Sequence, residues 1–171
     1  MKKLRCAISQ CLLGEKVRYD GREKLNTFIT QELSQKLDWL AVCPEVEIGL
    51  FVPRPPIQLI DSEKGIRAVF VHDESHDFTD ALQDHAHRMQ EKLLNVDGYI
   101  LKARSPSCGI GTVPVQGEKL LTNGIFVEEV KKILPDLPLI DEEQIVDKNL
   151  RDQFFRTMLS YRTSRMKLSN K

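Results

Sequence analysis

The chain has 171 residues, of which 41% are hydrophobic and 29% charged, the balance of an ordinary globular domain. Lys+Arg and Asp+Glu both number 25, so the formal net charge is zero, which argues against a protein held on nucleic acid by bulk electrostatics. No apolar stretch approaches the ~20 residues of a membrane span.

The basic-then-apolar start has the outline of a signal peptide, but its apolar run is short and is broken by Ser9, Gln10 and Gly14. It reads as a first buried strand, and a cytoplasmic protein is expected. Four short apolar runs predict buried parallel strands: Leu4 to Ser9, Leu40 to Cys43, Gly98 to Lys102 and Leu137 to Ile140. Helical patterns lie between them. Asn26 caps one carrying Phe28, Ile29, Leu33 and Leu37 inward. Asp77 caps a second, with Leu82, His85, Ala86, Met89 and Leu93 on its stripe. A third runs from about Gly124 to Leu134.

Strand alternating with helix implies an α/β fold. We expect a Rossmann-like, three-layer arrangement of about four parallel strands with flanking helices. Ile57 to Ile60 and Ile66 to Val71 flank Asp-Ser-Glu-Lys-Gly, which predicts a small hairpin insertion. The expected organisation is one domain over 1–171, with a C-terminal helix over 147–165 and a frayed tail over 167–171.

Cys11, Cys43 and Cys108 each fall at or just beyond the end of a predicted strand, the edge where doubly wound sheets bind ligands. Four cysteines in a cytoplasmic chain are core thiols, metal ligands or reactive groups rather than a disulfide framework. No Cys-x-x-Cys exists, and residues alone leave open whether the three thiols share a site. Cys6 alternates with Leu4 and Ile8 inside the first strand and reads as a core thiol. Three thiolates would leave a cubane cluster with one open iron. Glu45 would then sit beside the site as a proton carrier, or be a solvated loop charge. Arg54, between prolines, orients a ring or an acid of the site, or pairs with a loop carboxylate. Asp20 reads as a turn residue. His72, His76, His85 and His87 are assigned to no metal, with His85 packed in the core and His87 facing out. No Gly-x-Gly-x-x-Gly occurs, which excludes the usual nucleotide-cofactor dehydrogenase.

Five motifs occur in order: Cys-Leu-Leu-Gly (11–14), Arg-Tyr-Asp-Gly (18–21), Cys-Pro-Glu (43–45), Pro-Arg-Pro-Pro (53–56) and Lys-x-Arg-Ser-Pro-Ser-Cys-Gly (102–109). Together, over about residues 4–141, they resemble the bacterial family catalogued as domain of unknown function 523, which includes the thiouracil desulfidases. The segments 45–50, 97–102 and 150–156 look like the subgroup whose members carry an added C-terminal domain. The resemblance implies a [4Fe–4S] cluster held by Cys11, Cys43 and Cys108, with the fourth iron taking sulfur from a thiolated pyrimidine such as 2-thiouracil. It also implies Glu45 as the proton-transfer group and Ser105 and Ser107 on the substrate side, Ser107 being the catalytic one. Lys102, Ser107 and the Gly109 N–H are then the candidate donors for charge developing on the ring, with Arg54 a further substrate contact. A non-catalytic metal or redox-sensing module is the competing reading. A third is an enzyme acting on thiolated RNA through a basic face of Lys102, Arg104, Arg162, Arg165 and Lys167, against which the neutral charge counts.

Overall fold

A computed structural model describes residues 3–169. In chain order the elements are β1 (Leu4–Ser9), α1 (Thr27–Gln31), β2 (Leu37–Val42), α2 (Pro44–Glu47), β3 (Ile57–Ile60), β4 (Arg67–Phe70) and β5 (Asp73–Asp77). They continue with α3 (Thr79–Leu93), β6 (Gly98–Leu101), β7 (Val113–Gln116), β8 (Leu121–Thr122), α4 (Ile125–Ile133), β9 (Leu139–Asp141) and α5 (Lys148–Ser169). A single 3₁₀ turn, Gln10–Leu13, follows β1 directly.

The principal sheet has the order β2-β1-β6-β9, all parallel. Strand β6 is buried along its whole length, as a central parallel strand covered on both faces must be. One face sets Ala7, Tyr99 and Leu101 against Leu82 and Ala86 of α3 and Phe126 and Val130 of α4. The other sets Cys6, Ile8, Ile100 and Ile140 against Ile29 of α1 and Phe154 and Met158 of α5. This is the expected three-layer α/β fold. Each Leu, Ile or Phe so buried is worth about 1.5–3 kcal/mol.

Helix α5 docks where β6 has no side chain: a Cβ on Gly98 would lie 2.9 Å from both Met158 Cγ and Phe154 Cζ. The same helix pairs Arg162 (2.6 Å) and Arg165 (2.6 Å) with the fully buried Asp97, which also accepts the Arg5 N–H at 2.8 Å. These two arginines are therefore engaged at the amino end of β6. Lys102 lies at its carboxyl end, paired with Glu142, and Arg104 is paired with Glu143. The basic face considered for RNA does not assemble from them.

Asn26 caps α1 as expected, its Oδ1 accepting the Ile29 N–H at 3.1 Å. Asp77 does not cap α3: it ends β5, Phe78 takes the cap position, and Asp77 Oδ1 accepts the Thr79 N–H at 2.9 Å from one residue further back. Some bounds differ. Leu37 opens β2 instead of closing a helix, because α1 ends after Gln31 and a 3₁₀ turn, Leu33–Gln35, brings the chain back. Helix α5 runs to Ser169, so 167–169 are helical rather than frayed, no Gly or Pro being present to stop it. Residues 170–171 of the expected tail lie outside the described residues.

The hairpin β3–β4 forms as expected, turning at Gly65 with φ +90°. It belongs, however, to a five-stranded sheet of order β5-β4-β3-β7-β8. Leu59, Ala68, Val113 and Val115 of that sheet join the core beneath α3 and α4.

Candidate functional site

Strands β1, β2 and β6 run parallel, so the loops that follow them open on one edge. Cys11 lies in the 3₁₀ turn after β1, and its carbonyl is fixed by the N–H groups of Gly14 (3.3 Å) and Lys24 (2.9 Å). Gly14 is there because the turn closes at φ +93°, which L side chains rarely adopt. Cys43 is the N-cap of α2, with Pro44 in the first helical position, and its N–H donates to Glu47 Oε1 at 3.1 Å. Cys108 closes a turn in which Ser105 Oγ accepts its N–H at 3.1 Å.

The loop of Cys108 is tied in turn to α4. The first N–H groups of that helix, which have no intrahelical acceptor, take the carbonyls of Pro106 (from Ile125, 3.0 Å) and Ser107 (from Val127, 3.1 Å). All three cysteines line one cleft of about 320 Å³, together with Glu45, Arg54, Lys102, Ser105 and Ser107.

Glu45 and Arg54 are largely buried, with side chains 13% and 5% exposed. Arg54 donates to Glu45 Oε2 through Nη2 at 2.7 Å and Nε at 3.0 Å, and Nη1 reaches the Val17 carbonyl at 3.0 Å. Ser107 Oγ donates to the other carboxylate oxygen, Oε1, at 3.0 Å and lies 3.1 Å from Ser105 Oγ. Of the readings open for Arg54, the carboxylate partner is the one the geometry supports. Lys102 is held against the wall by Glu142, which also accepts the Ala103 N–H at 2.6 Å. Gly109 departs from expectation. Its N–H donates to the Ser105 carbonyl at 2.8 Å, and a Cβ there would lie 2.4 Å from Val113 Cγ2, so it is a packing glycine within the turn and not a donor to the cleft.

Cys6 is fully buried on the α1/α5 face of the sheet, away from the cleft, as the sequence reading expects. Burial pushes the Cys11 thiol up to about 11, with the neighbouring Cys43 adding to it, and burial raises Cys43 and Cys108 too. Among the described residues no three His, Cys, Asp or Glu side chains converge on one ion position. No histidine lines the cleft, and its one lining carboxylate, Glu45, is held by Arg54 and Ser107. A closed four-ligand zinc site is therefore poorly served here, whereas a cluster that takes one thiolate per iron fits three separated cysteines.

Other groups at the site went unread in the sequence. Glu142 stands just past the last parallel strand, the same strand-end signal that marked the cysteines. Glu47, four residues after Cys43, bridges its N–H to His85 Nε2, which lies 2.7 Å from Glu47 Oε2. Arg18, Tyr19 and Lys24 line the mouth.

The model of the 2-thiouracil desulfurase family matches residues 6–142. The chain belongs to that family. A protein of Bacillus subtilis strain 168, known as uncharacterized protein YbbK, is 30% identical over 135 residues, covering 73% of this chain and 88% of its own length. A solved structure described as the [4Fe–4S]-dependent thiouracil desulfidase TudS superposes with a TM-score of 0.64 at 28% identity. It covers 88% of this chain and 99% of that one. The α/β fold of the 2-thiouracil desulfurase family is thus the fold described above. Among the described residues, no helix is long and apolar enough to cross a membrane.

Proposed function

We propose that this family member is a cytoplasmic, single-domain hydrolytic desulfidase that depends on a [4Fe–4S] cluster and acts on a thiolated pyrimidine of the 2-thiouracil type. The observation that carries the reading is the placement of Cys11, Cys43 and Cys108 around one cleft, with the Glu45–Ser107 pair beside them. The description of TudS as a [4Fe–4S]-dependent thiouracil desulfidase supports it.

Cys11, Cys43 and Cys108 would hold the cluster. When bound, it supplies a thiophilic iron for the departing sulfur. The net change is ring C=S plus water to ring C=O plus hydrogen sulfide, so no electrons are exchanged. Glu45, positioned by the Arg54 fork, accepts a proton as water attacks the ring carbon. The proton returns to the sulfur, and the hydroxyl proton left on carbon follows as the C=O bond forms. Ser107 and Ser105 present hydroxyls to the ring, and the positive charge of Lys102 favours the negative charge that develops there.

The test is anaerobic reconstitution, counting iron and acid-labile sulfide, followed by sulfide release from 2-thiouracil. Four irons per chain with release of uracil and sulfide is the expected result. A fully loaded protein inactive on every thiolated pyrimidine would favour the redox-sensing module instead.

A further inference from the structure

Helix α2 is a single turn, too short to hold its shape unaided, yet its N-cap is Cys43. Glu47, its last residue, grips both polar groups of the Cys43 backbone. Its carboxylate Oε1 accepts the Cys43 N–H at 3.1 Å, and its own N–H donates to the Cys43 carbonyl at 2.9 Å. The other carboxylate oxygen, Oε2, lies 2.7 Å from His85 Nε2, which anchors the turn to α3. The His85 side chain is 7% exposed and rests on Phe126 of α4, with ring centroids 5.6 Å apart. A carboxylate accepts, so the proton belongs on Nε2. The buried Nδ1 has no hydrogen-bond partner among the described residues. A buried polar atom without a partner costs stability, and phenylalanine would pack there without that cost. Packing alone therefore does not ask for histidine at this position, whereas the bond to Glu47 does.

We propose that His85, acting through Glu47, is a positioning residue for Cys43, setting the direction of its sulfur before the cluster binds. The inference rests on the cluster reading above. The backbone of Cys43, at φ −129° and ψ 92°, fixes where its side chain starts, and Glu47 holds that backbone from both sides. The helix beneath the His85 ring also carries the loop of Cys108, because Ile125 and Val127 of α4 hold the Pro106 and Ser107 carbonyls. Two of the three thiols are thus referred to one packed pair of helices, α3 and α4. Ligands fixed in advance lose less freedom when they bind. Losing such an outer partner typically costs about 10- to 100-fold in metal affinity.

The experiment compares wild type with His85→Phe, His85→Gln and Glu47→Ala. In metal-free protein, the alkylation of each cysteine by iodoacetamide is timed by mass spectrometry. In anaerobically reconstituted protein, iron loss is titrated with a chelator. His85→Phe keeps a ring and removes the donor, Glu47→Ala removes the tie at a partly exposed side chain, and glutamine offers an amide N–H in place of Nε2–H. Without metal, Cys43 should alkylate roughly 10-fold faster in His85→Phe and Glu47→Ala, as the loss of one charge-assisted hydrogen bond allows, while Cys11 and Cys108 keep wild-type rates. Once loaded, both variants should give up iron at roughly 10- to 100-fold lower chelator concentration. His85→Gln should return both readouts most of the way to wild type, which it could not do if the ring served packing alone. Unchanged Cys43 alkylation and iron retention in Glu47→Ala would overturn the inference, as would a His85→Gln no better than His85→Phe. Equal acceleration at all three cysteines would overturn it too, because it would report general loosening. A wild type that takes up no cluster would instead overturn the reading on which the inference rests.

Discussion

Ser107 Oγ donates to Glu45 Oε1 at 3.0 Å, joining two loops 62 residues apart in sequence. The bond ties the Cys-Pro-Glu turn to the Ser-Pro-Ser-Cys turn, so the proposed proton carrier is positioned by the same loops that carry two of the three thiols. The other carboxylate oxygen is taken by Arg54. Glu45→Gln keeps the size of the side chain and a carbonyl for Ser107, but cannot take up and return a proton near neutral pH. The variant should hold as much iron as wild type and release sulfide from 2-thiouracil at least about 10²-fold more slowly, the lower end of general acid–base assistance. Equal rates at matched iron would make Glu45 a bystander.

Arg54 should behave as the partner of Glu45 rather than as a ring contact. Arg54→Ala leaves a largely buried carboxylate unpaired and frees the loop at Val17, so stability should fall by up to about 3 kcal/mol and kcat should drop with it. Arg54→Lys restores a charge but not the fork, and should recover stability more fully than turnover. Denaturant unfolding alongside steady-state kinetics at matched iron separates the two roles. A variant of normal stability and kcat with only a raised KM would return Arg54 to the substrate.

The cysteines give the cleanest contrast. Cys11→Ser, Cys43→Ser and Cys108→Ser should each sharply reduce bound iron after reconstitution. Cys6→Ser should load normally while melting lower, because it buries a hydroxyl in the packed α1/α5 face. Loss of iron in Cys6→Ser equal to that in the other three would point to a four-cysteine site.

The strands that position the site were legible because a parallel strand covered on both faces is an uninterrupted apolar run, as Gly98–Leu101 is. Once those runs were placed, their ends located Cys11, Cys43 and Cys108. The second sheet was legible only at its Ile-rich hairpin. Strand β5, Asp-Glu-Ser-His-Asp, is exposed throughout and meets β4 through its backbone, the Arg67–Asp77 ion pair and the Phe70–His76 ring contact, so it carries no apolar alternation. In β7 the exposed Pro114 reads as a loop, although Val113 and Val115 on either side are buried. The Arg54–Glu45 pairing depends on how two loops fold over each other, which no local spacing encodes. The Gly109 N–H, a candidate donor to the ring from the sequence, is instead spent on the Ser105 carbonyl inside the tight turn, and Val113 leaves no room for a side chain there.

Gly124 connects the fold to the site most directly. Its backbone, φ −66° and ψ 150°, suits any residue, so conformation alone does not demand glycine. Space does: a Cβ would lie 2.4 Å from the Ser107 carbonyl carbon and 2.6 Å from the Cys108 nitrogen. These are backbone atoms and cannot rotate aside. The loop also cannot withdraw freely, because Ile125 and Val127 of α4 hold the carbonyls of Pro106 and Ser107. Gly124→Ala should therefore fold with a stability loss of about 1–3 kcal/mol from overpacking. It should also displace Ser107 from Glu45 and Cys108 from the other two thiols, lowering both iron content and the turnover of whatever iron remains. Lys131→Ala, exposed on the same helix, is the matched control and should leave both at wild-type values. If Gly124→Ala reconstitutes fully and turns over normally, the loop has more room than its contacts with α4 imply, and the coupling between that helix and the site is lost.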